Sequence, residues 1–187
     1  MAASSTMLAL GTSLPPFSLP NAVDGSTTSN QHFAGKPVLV MFICNHCPYV
    51  IHVREELGRL GRDYLPKGVA IVAINANSAV SHPQDGPENM KQLALDEGWQ
   101  FPFLFDATQK IARAFHAACT PEFYLFDATH SLVYRGQLDS SRPGSNNPVT
   151  GRDLRAALDA LLRGEPVSTE QSASVGCSIK WDPGNKP

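Results

Sequence analysis

Two cysteines, Cys44 and Cys47, are the residues of this chain whose type and spacing most directly indicate chemistry. Two thiols separated by two residues can close a disulfide with each other and exchange it with a thiol or disulfide of another molecule. They follow the apolar run 38–43, which has the length and the β-branched content of a buried strand. The segment 48–64 after them has helical spacing. The pattern therefore predicts thiol–disulfide chemistry where a strand leads into a helix.

The position of the pair predicts that its sulfur atoms ionise more readily than an ordinary thiol. The first turn of a helix offers unpaired backbone N–H groups and the positive end of the helix dipole, and both lower the pKa of a nearby thiol. We predict that Cys44 attacks a substrate disulfide and that Cys47, one helical turn inward, resolves the mixed disulfide. His46 lies between them and would stabilise the thiolate, and the alternative is a solvent-facing histidine without influence. We also expect the two sulfur atoms to lie within bonding distance at a surface that solvent reaches.

The composition of the chain excludes several classes of protein. The 187 residues carry 15 basic and 17 acidic side chains, a net charge of −2, whereas a nucleic-acid-binding surface needs a basic excess. No apolar run approaches the roughly 20 residues of a membrane-spanning helix. Segment 1–11 lacks the basic region of a signal peptide, so we expect a cytoplasmic protein. Four cysteines in a chain of this length do not form a disulfide scaffold, and in the cytoplasm they indicate redox work or metal binding.

The order of the predicted elements indicates an α/β fold. After an irregular or hairpin segment at 12–35, strands and helices alternate, and β-α-β units of this kind give parallel strands with right-handed crossovers. A late hairpin adds antiparallel strands, so we expect a mixed central sheet with helices on both faces. We predict one domain over residues 1–187, with its core at about 12–163 and a C-terminal tail at 164–187. The predicted strands are 37–43, 69–75, 101–105, 122–126 and 132–136, and the predicted helices are 48–64, 87–98, 109–116 and 152–163.

Four short blocks of the sequence are informative together. They are 44–50 (CNHCPYV), 118–123 (ACTPEF), 139–144 (DSSRPG) and 176–181 (GCSIKW). On these blocks the chain resembles the thioredoxin superfamily, and more closely its peroxiredoxin-like AhpC/TSA branch that carries a Cys-x-x-Cys motif. The resemblance extends from about Pro15 to Trp181 and implies a thioredoxin-like fold.

The resemblance assigns roles to Thr120 and Pro121. It implies that Pro121 is a cis-proline packed beside the cysteines, and the alternative is an ordinary trans proline that opens a strand. A cis bond turns the backbone of Thr120 toward the cysteines, so that its N–H and C=O can pair with a substrate chain as a short strand.

The same resemblance bears on peroxidase activity. Peroxiredoxins carry Pro-x-x-x-Thr-x-x-Cys, and alignment of that cysteine with Cys47 puts Val40 at the proline position and Cys44 at the threonine position. The peroxiredoxin arginine falls on Pro121. The threonine and arginine that hold and polarise the peroxide are therefore absent, and the departing oxygen lacks their donors. The comparison favours a dithiol–disulfide oxidoreductase, and the alternative is an antioxidant, thiol-dependent peroxidase in which Cys47 attacks.

Two further cysteines leave alternatives open. Cys119 lies two residues before Pro121, so it is a third exchanging thiol, a metal ligand or a buried apolar side chain near the pair. Cys177 lies in the tail, and we favour a packing or surface thiol over a resolving role. The pair itself can also be half of a zinc site or inert. A different class of function would be a metal- or partner-binding module that holds zinc or copper through Cys44, Cys47 and Cys119.

We therefore predict a thiol–disulfide oxidoreductase in which Cys44 and Cys47 cycle without a bound cofactor or metal. His46, Cys119, Thr120 and Pro121 are the predicted supporting residues. The expected partners are a disulfide-containing protein or a small-molecule thiol substrate, and a reductant such as a thioredoxin or glutathione system. Neither nucleic acid nor a membrane is an expected partner.

Overall fold

Ten strands and four α-helices make up the described part of the chain, residues 2–187 of a computed structural model. The strands are β1 (Ala2–Ser4), β2 (Ser18–Pro20), β3 (Thr27–Ser29), β4 (Val38–Phe42), β5 (Ala70–Asn75), β6 (Phe103–Phe105), β7 (Cys119–Thr120), β8 (Glu122–Phe126), β9 (Leu132–Gly136) and β10 (Val175–Ser178). The helices are α1 (Pro48–Tyr64), α2 (Pro87–Asp96), α3 (Lys110–Ala114) and α4 (Arg152–Leu162), and short 3₁₀ helices lie at Asn30–Phe33, Leu65–Lys67 and Pro83–Asp85. No helix within residues 2–187 combines the length and the apolar character that crossing a membrane requires.

Strand β4 is the centre of a five-stranded sheet whose order is β6-β5-β4-β8-β9. Strands β4, β5 and β6 are parallel, whereas β8 runs antiparallel to β4 and β9 antiparallel to β8. This confirms the mixed central sheet that the sequence predicts. All five residues of β4 are buried, as expected for a strand that is covered on both faces.

Two apolar cores, one on each face of the sheet, explain why every residue of β4 is apolar. Leu39 and Met41 pack into the core that also contains the buried faces of α1, α2 and α4. Val38, Val40 and Phe42 alternate with them and pack on the opposite side, with α3 and the N-terminal segment. Helices therefore lie on both faces of the sheet, as predicted.

Helix α1 carries the second cysteine of the pair at its start, and it occupies the predicted range, 48–64. Pro48 stands at its first position, where the missing N–H costs no hydrogen bond. The apolar stripe of this helix faces the core, so its burial fixes the direction in which the N-terminus points. The stripe consists of Val50, Val53, Leu57, Leu60 and Tyr64, all buried.

A second, smaller sheet joins the two ends of the described chain and was not predicted. Its strand order is β1-β10-β7, with both pairings antiparallel. These strands have only two to four residues, too few for hydrophobic periodicity to register. The other predicted helices and strands match the structure to within two residues at each end. Strands β1 and β10 lie outside the predicted core of 12–163, and the single-domain assignment itself stays a prediction.

Substitution of Leu57 by alanine tests whether the burial of α1 stabilises the fold. The Leu57 side chain is 0% exposed, so its removal leaves a cavity, and we expect the free energy of unfolding to fall by about 2–5 kcal/mol. Ile51 lies on the same helix but is 46% exposed, and Ile51→Ala serves as the matched control with an expected change within about 0.5 kcal/mol. Chemical denaturation measures both variants. Equal losses in the two would contradict the assigned orientation of α1.

Candidate active site

Cys44 and Cys47 lie in the short connection between β4 and α1. Cys44 follows the end of β4, where the N–H of Ile43 still donates to the carbonyl of Ile74 in the neighbouring strand at 3.0 Å. Cys47 is the N-cap of α1, and its carbonyl accepts hydrogen bonds from the N–H groups of Val50 and Ile51, both at 2.9 Å. The junction that the sequence predicts is therefore present, with the second cysteine at the positive end of the helix dipole.

Both sulfur atoms converge on Thr120, which lies far from them in the sequence. Cys44 Sγ is 3.4 Å from the Thr120 hydroxyl oxygen, and the Cys47 thiol donates to the Thr120 carbonyl oxygen at 3.2 Å. The Thr120–Pro121 peptide bond is cis, in agreement with the resemblance. Strand β7 thus brings Thr120 and Pro121 to the cysteine pair, as the sequence analysis expects of them.

The burial of the pair differs from the solvent-reached surface expected from the sequence. Cys44 and Cys47 are both 0% exposed. Two elements that the sequence analysis did not assign to the site cover the cysteine pair. They are the loop that contains Asp85, and strand β10, which carries Cys177. All four cysteines are free thiols in this structure.

Asp85 is a buried carboxylate beneath the cysteine turn, and the sequence analysis missed it. One carboxylate oxygen accepts the backbone N–H groups of Asn45 at 2.9 Å and His46 at 3.1 Å. The other accepts the side-chain amide of Asn77 at 2.8 Å and lies 2.5 Å from Nδ1 of His46. Asp85 is 0% exposed, so these donors compensate a charge that water does not reach. The only signal in the sequence was an aspartate in a Pro/Gly-bearing loop, which is also the usual composition of a turn.

His46 is held by this carboxylate, and its ring also stacks on His82. The two imidazole centroids are 5.1 Å apart and their planes differ by 20°. Burial, followed by the charge of His46, lowers the pKa of His82. The predicted stabilisation of a thiolate by His46 stays a prediction, and the geometry shows that this imidazole is oriented by Asp85.

A hydrogen bond between the two sulfur atoms separates their pKa values. It raises the pKa of Cys44 and lowers the pKa of Cys47, because the Cys44 thiol donates to Cys47. Burial and the negative charge of Asp85 raise the pKa of Cys44 further. Burial opposes the shift at Cys47, whereas a hydrogen bond from the Cys177 thiol supports it. The pKa of Cys47 is therefore lower than that of Cys44.

Cys119 lies two residues before the cis-proline, and groups other than Cys44 and Cys47 surround its sulfur. Its sulfur lies 3.9 Å from a Glu122 carboxylate oxygen, 3.9 Å from the Ser174 carbonyl oxygen and 4.0 Å from the Pro121 carbonyl oxygen. Burial raises the pKa of Cys119 well above its usual range, and the negative charge of Glu122 adds to the effect. Among the alternatives left open by the sequence, this environment favours a buried, protonated side chain.

The metal-ligand set considered from the sequence is not brought together within the described residues. The side chains that lie close enough to share an ion there are Cys44, His46 and Asp85, with their ligand atoms within 4.8 Å of one another, and not Cys44, Cys47 and Cys119. In this cluster the Asp85 oxygens already accept hydrogen bonds from protein donors. The three cysteines considered as an alternative ligand set for zinc or copper are therefore not brought together.

Comparison with known proteins places this site in a family. The family model described as Redoxin matches residues 9–154. The chain belongs to the Redoxin family. A comparison with curated proteins gives no match. Membership in this family supports a redox role for the chain at a general level.

Solved structures similar to this Redoxin chain agree with its fold. A structure of a conserved protein from Geobacillus kaustophilus, called uncharacterized, is 54% identical, with a TM-score of 0.96 and coverage of 98% of this chain and 97% of that one. A hypothetical protein from Sinorhizobium meliloti 1021 is 44% identical, with a TM-score of 0.94 and coverage of 97% and 99%. A thiol:disulfide interchange protein of the thioredoxin family from Chlorobium tepidum TLS is 21% identical, with a TM-score of 0.64 and coverage of 82% and 98%. The last similarity shows the fold alone, and it confirms the predicted thioredoxin-like fold.

Replacement of Asp85 by asparagine tests its influence on the cysteine pair. Removal of the negative charge beside Cys44 should lower the pKa of that thiol, because its thiolate is no longer repelled. Loss of hydrogen bonds to a charged acceptor should also reduce the free energy of unfolding by about 1–3 kcal/mol. The ultraviolet absorbance of the thiolate, followed against pH in a Cys47→Ser background, measures the pKa. Glu88→Gln removes an exposed carboxylate from the adjacent helix as the control, and an equal shift in both variants would contradict a local effect of Asp85.

Proposed function

We propose that this Redoxin-family protein is a thiol–disulfide oxidoreductase in which Cys44 and Cys47 cycle between dithiol and disulfide. The observation that carries the proposal is the convergence of both sulfur atoms on Thr120, next to the cis-proline. Two thiols that are both held against the same residue are placed to form a covalent bond with a small movement.

The reaction begins with the loss of one proton from the pair to solvent. When the remaining proton lies on Cys47, the Cys44 thiolate attacks one sulfur of a substrate disulfide and expels the other as a thiolate. Cys47 then loses its proton and attacks Cys44 Sγ, which breaks the mixed disulfide and releases the second substrate thiolate. The pair has lost two electrons and the substrate disulfide has gained them. In the reverse direction, an oxidised pair accepts two electrons from a dithiol.

Burial of the pair favours small or flexible substrates. Because both cysteines are fully covered, a folded protein disulfide cannot approach without movement of the cover. We therefore propose small-molecule disulfides and flexible chain segments as substrates, with a dithiol of a thioredoxin or glutathione system as the reductant. A cytoplasmic location is part of the same proposal, because free thiols persist where the surroundings are reducing.

Single serine substitutions test the proposal. With dithiothreitol as reductant, the wild-type protein should accelerate the reduction of glutathione disulfide and, more slowly, of insulin. Cys47→Ser should reduce the rate to that of dithiothreitol alone and Cys44→Ser should lower it strongly, because neither variant can close the disulfide between residues 44 and 47. Cys119→Ala is the matched control, because its sulfur faces Glu122 and Ser174, and it should retain the wild-type rate. Wild-type protein that gives no acceleration with either substrate would rule the proposal out.

A thiol-dependent peroxidase is the second candidate, and the lowered pKa of Cys47 is the observation that favours it. A Cys47 thiolate can attack hydrogen peroxide to give a sulfenic acid and hydroxide, and Cys44 can then form the disulfide with release of water. Peroxide is small enough to reach a buried sulfur more easily than a disulfide.

Peroxide consumption separates the two candidates. If peroxide reduction is the main reaction, consumption with an external thiol should survive Cys44→Ser and be lost in Cys47→Ser, because only the attacking thiol is then essential. The disulfide oxidoreductase requires both residues. Consumption that is slow in the wild type and equally slow in both variants would exclude the peroxidase.

A further inference from the structure

Strand β10 lies against Thr120, the backbone position at which a substrate chain is expected to pair. It runs antiparallel to β7, with Cys177 opposite Thr120 and Ser178 opposite Cys119. On its other side it pairs with β1, with Cys177 opposite Ala2. The chain therefore fills this edge with its own strand, and that strand presents a cysteine at the level of Thr120.

Hydrogen bonds at both ends hold β10 in place. Before the strand, the N–H of Ser5 donates to the carbonyl of Ser174 at 2.9 Å, and the N–H of Ser174 donates to the Ser5 hydroxyl at 3.1 Å. After the strand, the N–H of Lys180 donates to the Asn77 side chain at 2.9 Å, and its carbonyl accepts the Gln109 amide at 2.8 Å. The position of Cys177 is thus fixed from two sides.

Gly176 allows β10 to lie directly on the Thr120 carbonyl. A Cβ atom at position 176 would overlap the carbonyl group of Thr120 and approach Pro121 N to 3.2 Å. The same carbonyl oxygen accepts the hydrogen bond from the Cys47 thiol. One peptide group therefore contacts Cys47 and the residue next to Cys177.

Cys177 differs from the other three cysteines in its exposure. Cys44, Cys47 and Cys119 are buried, whereas Cys177 is partly exposed. Its side chain packs against the apolar core that contains Cys44 and Cys47, and it lies opposite Thr120, whose carbonyl accepts the Cys47 thiol. Cys177 thus lies between the core around the buried pair and solvent.

We propose that Cys177 is a third redox thiol, which exchanges with Cys47 and connects the buried pair to an external dithiol. The proposal rests on the proposed function, because it requires a disulfide between Cys44 and Cys47. Its catalytic step involves three sulfur atoms of this chain and needs no further oxidant or reductant.

The exchange is balanced in atoms and electrons. Cys177 loses its proton to solvent and its thiolate attacks Cys47 Sγ, so that a Cys47–Cys177 bond forms and the Cys44–Cys47 bond breaks. The electron pair leaves on Cys44, which takes up a proton. An external dithiol then attacks the partly exposed Cys177 Sγ, expels the Cys47 thiolate and, through its second thiol, releases Cys177. The dithiol loses two electrons and the chain gains two.

The pKa of Cys177 depends on whether the Cys44–Cys47 pair is reduced or oxidised. In the reduced protein, burial raises the pKa of Cys177 to about 11, and the hydrogen bond and negative charge of Cys47 contribute to the rise. A Cys44–Cys47 disulfide carries neither that charge nor a thiolate acceptor, so two of these causes disappear on oxidation. The nearby Lys180 then favours the thiolate. The pKa of Cys177 should therefore be lower when there is a disulfide for it to attack.

A trapping experiment on the full chain tests the contact. In Cys44→Ser, glutathione disulfide should first give a mixed disulfide on Cys47, which Cys177 resolves with release of glutathione. Proteolysis without reduction, followed by mass spectrometry, should identify a Cys47–Cys177 crosslink and no retained glutathione. The matched control Cys44→Ser/Cys177→Ser should retain one glutathione on Cys47, and Cys44→Ser/Cys119→Ser should still form the crosslink. Retained glutathione on Cys47 in the single variant, or a Cys47–Cys119 bond, would overturn the proposal.

A kinetic experiment tests whether the contact is used. Oxidised wild-type protein should be reduced by dithiothreitol about tenfold or more faster than oxidised Cys177→Ser, because the partly exposed sulfur is missing in the variant. Equal rates would overturn the proposal even if the crosslink forms. Wild-type protein that forms no Cys44–Cys47 disulfide would instead refute the proposed function. If Cys177→Ser does not fold, as judged by circular dichroism, the trap in Cys44→Ser decides alone, because that variant keeps the native Cys177.

Discussion

The convergence of three chain segments on the peptide group of Thr120 is the constraint on which the candidate site depends. The hydroxyl of this residue contacts Cys44 and its carbonyl accepts the thiol of Cys47. The same carbonyl lies against the backbone of Gly176. The cysteine turn reaches Thr120 because β4, which precedes the turn, pairs with β8, and β7 directly precedes β8. The C-terminal segment reaches it because β10 pairs with β7. The geometry of the sulfur atoms is therefore set by the pairing of central strands and not by the cysteine turn alone.

Different groups influence the ionisation of Cys44 and of Cys47. Asp85 places a buried negative charge near Cys44, whereas the start of α1 and the Cys177 thiol lie near Cys47. A buried carboxylate needs several donors, and the cysteine turn supplies two backbone N–H groups from Asn45 and His46. Asp85 thus both fixes the shape of the cysteine turn and affects the ionisation of Cys44. A substitution of Asp85 would therefore change the structure of the turn and the reactivity of the pair together.

The sequence allowed the central fold to be predicted because its long elements repeat their pattern several times. Helix α1 shows a full apolar stripe, and β4 is an uninterrupted apolar run, so both were placed within a residue of their true ends. The proximity of Thr120 to the two cysteines was predicted from the family resemblance. The local sequence pattern does not indicate which distant residues lie close together. Strand β10 was missed because four residues are too short for a period to be visible. Asp85 was missed because a carboxylate in a polar loop looks the same whether it is solvated or buried.

Strand β10 is held between β1 and β7, so the reactivity of the cysteines depends on how easily this strand detaches. A strand of four residues opens at a lower free energy than the central sheet, and each opening exposes sulfur atoms that are otherwise covered. The rate at which a bulky disulfide reacts would then follow the fraction of molecules in which this strand is detached, whereas a small disulfide would be insensitive to it. The size of the substrate thus selects between a reaction of the native state and a reaction of a transiently opened one. A few backbone hydrogen bonds of β10 would in this way set the range of molecules with which the protein reacts.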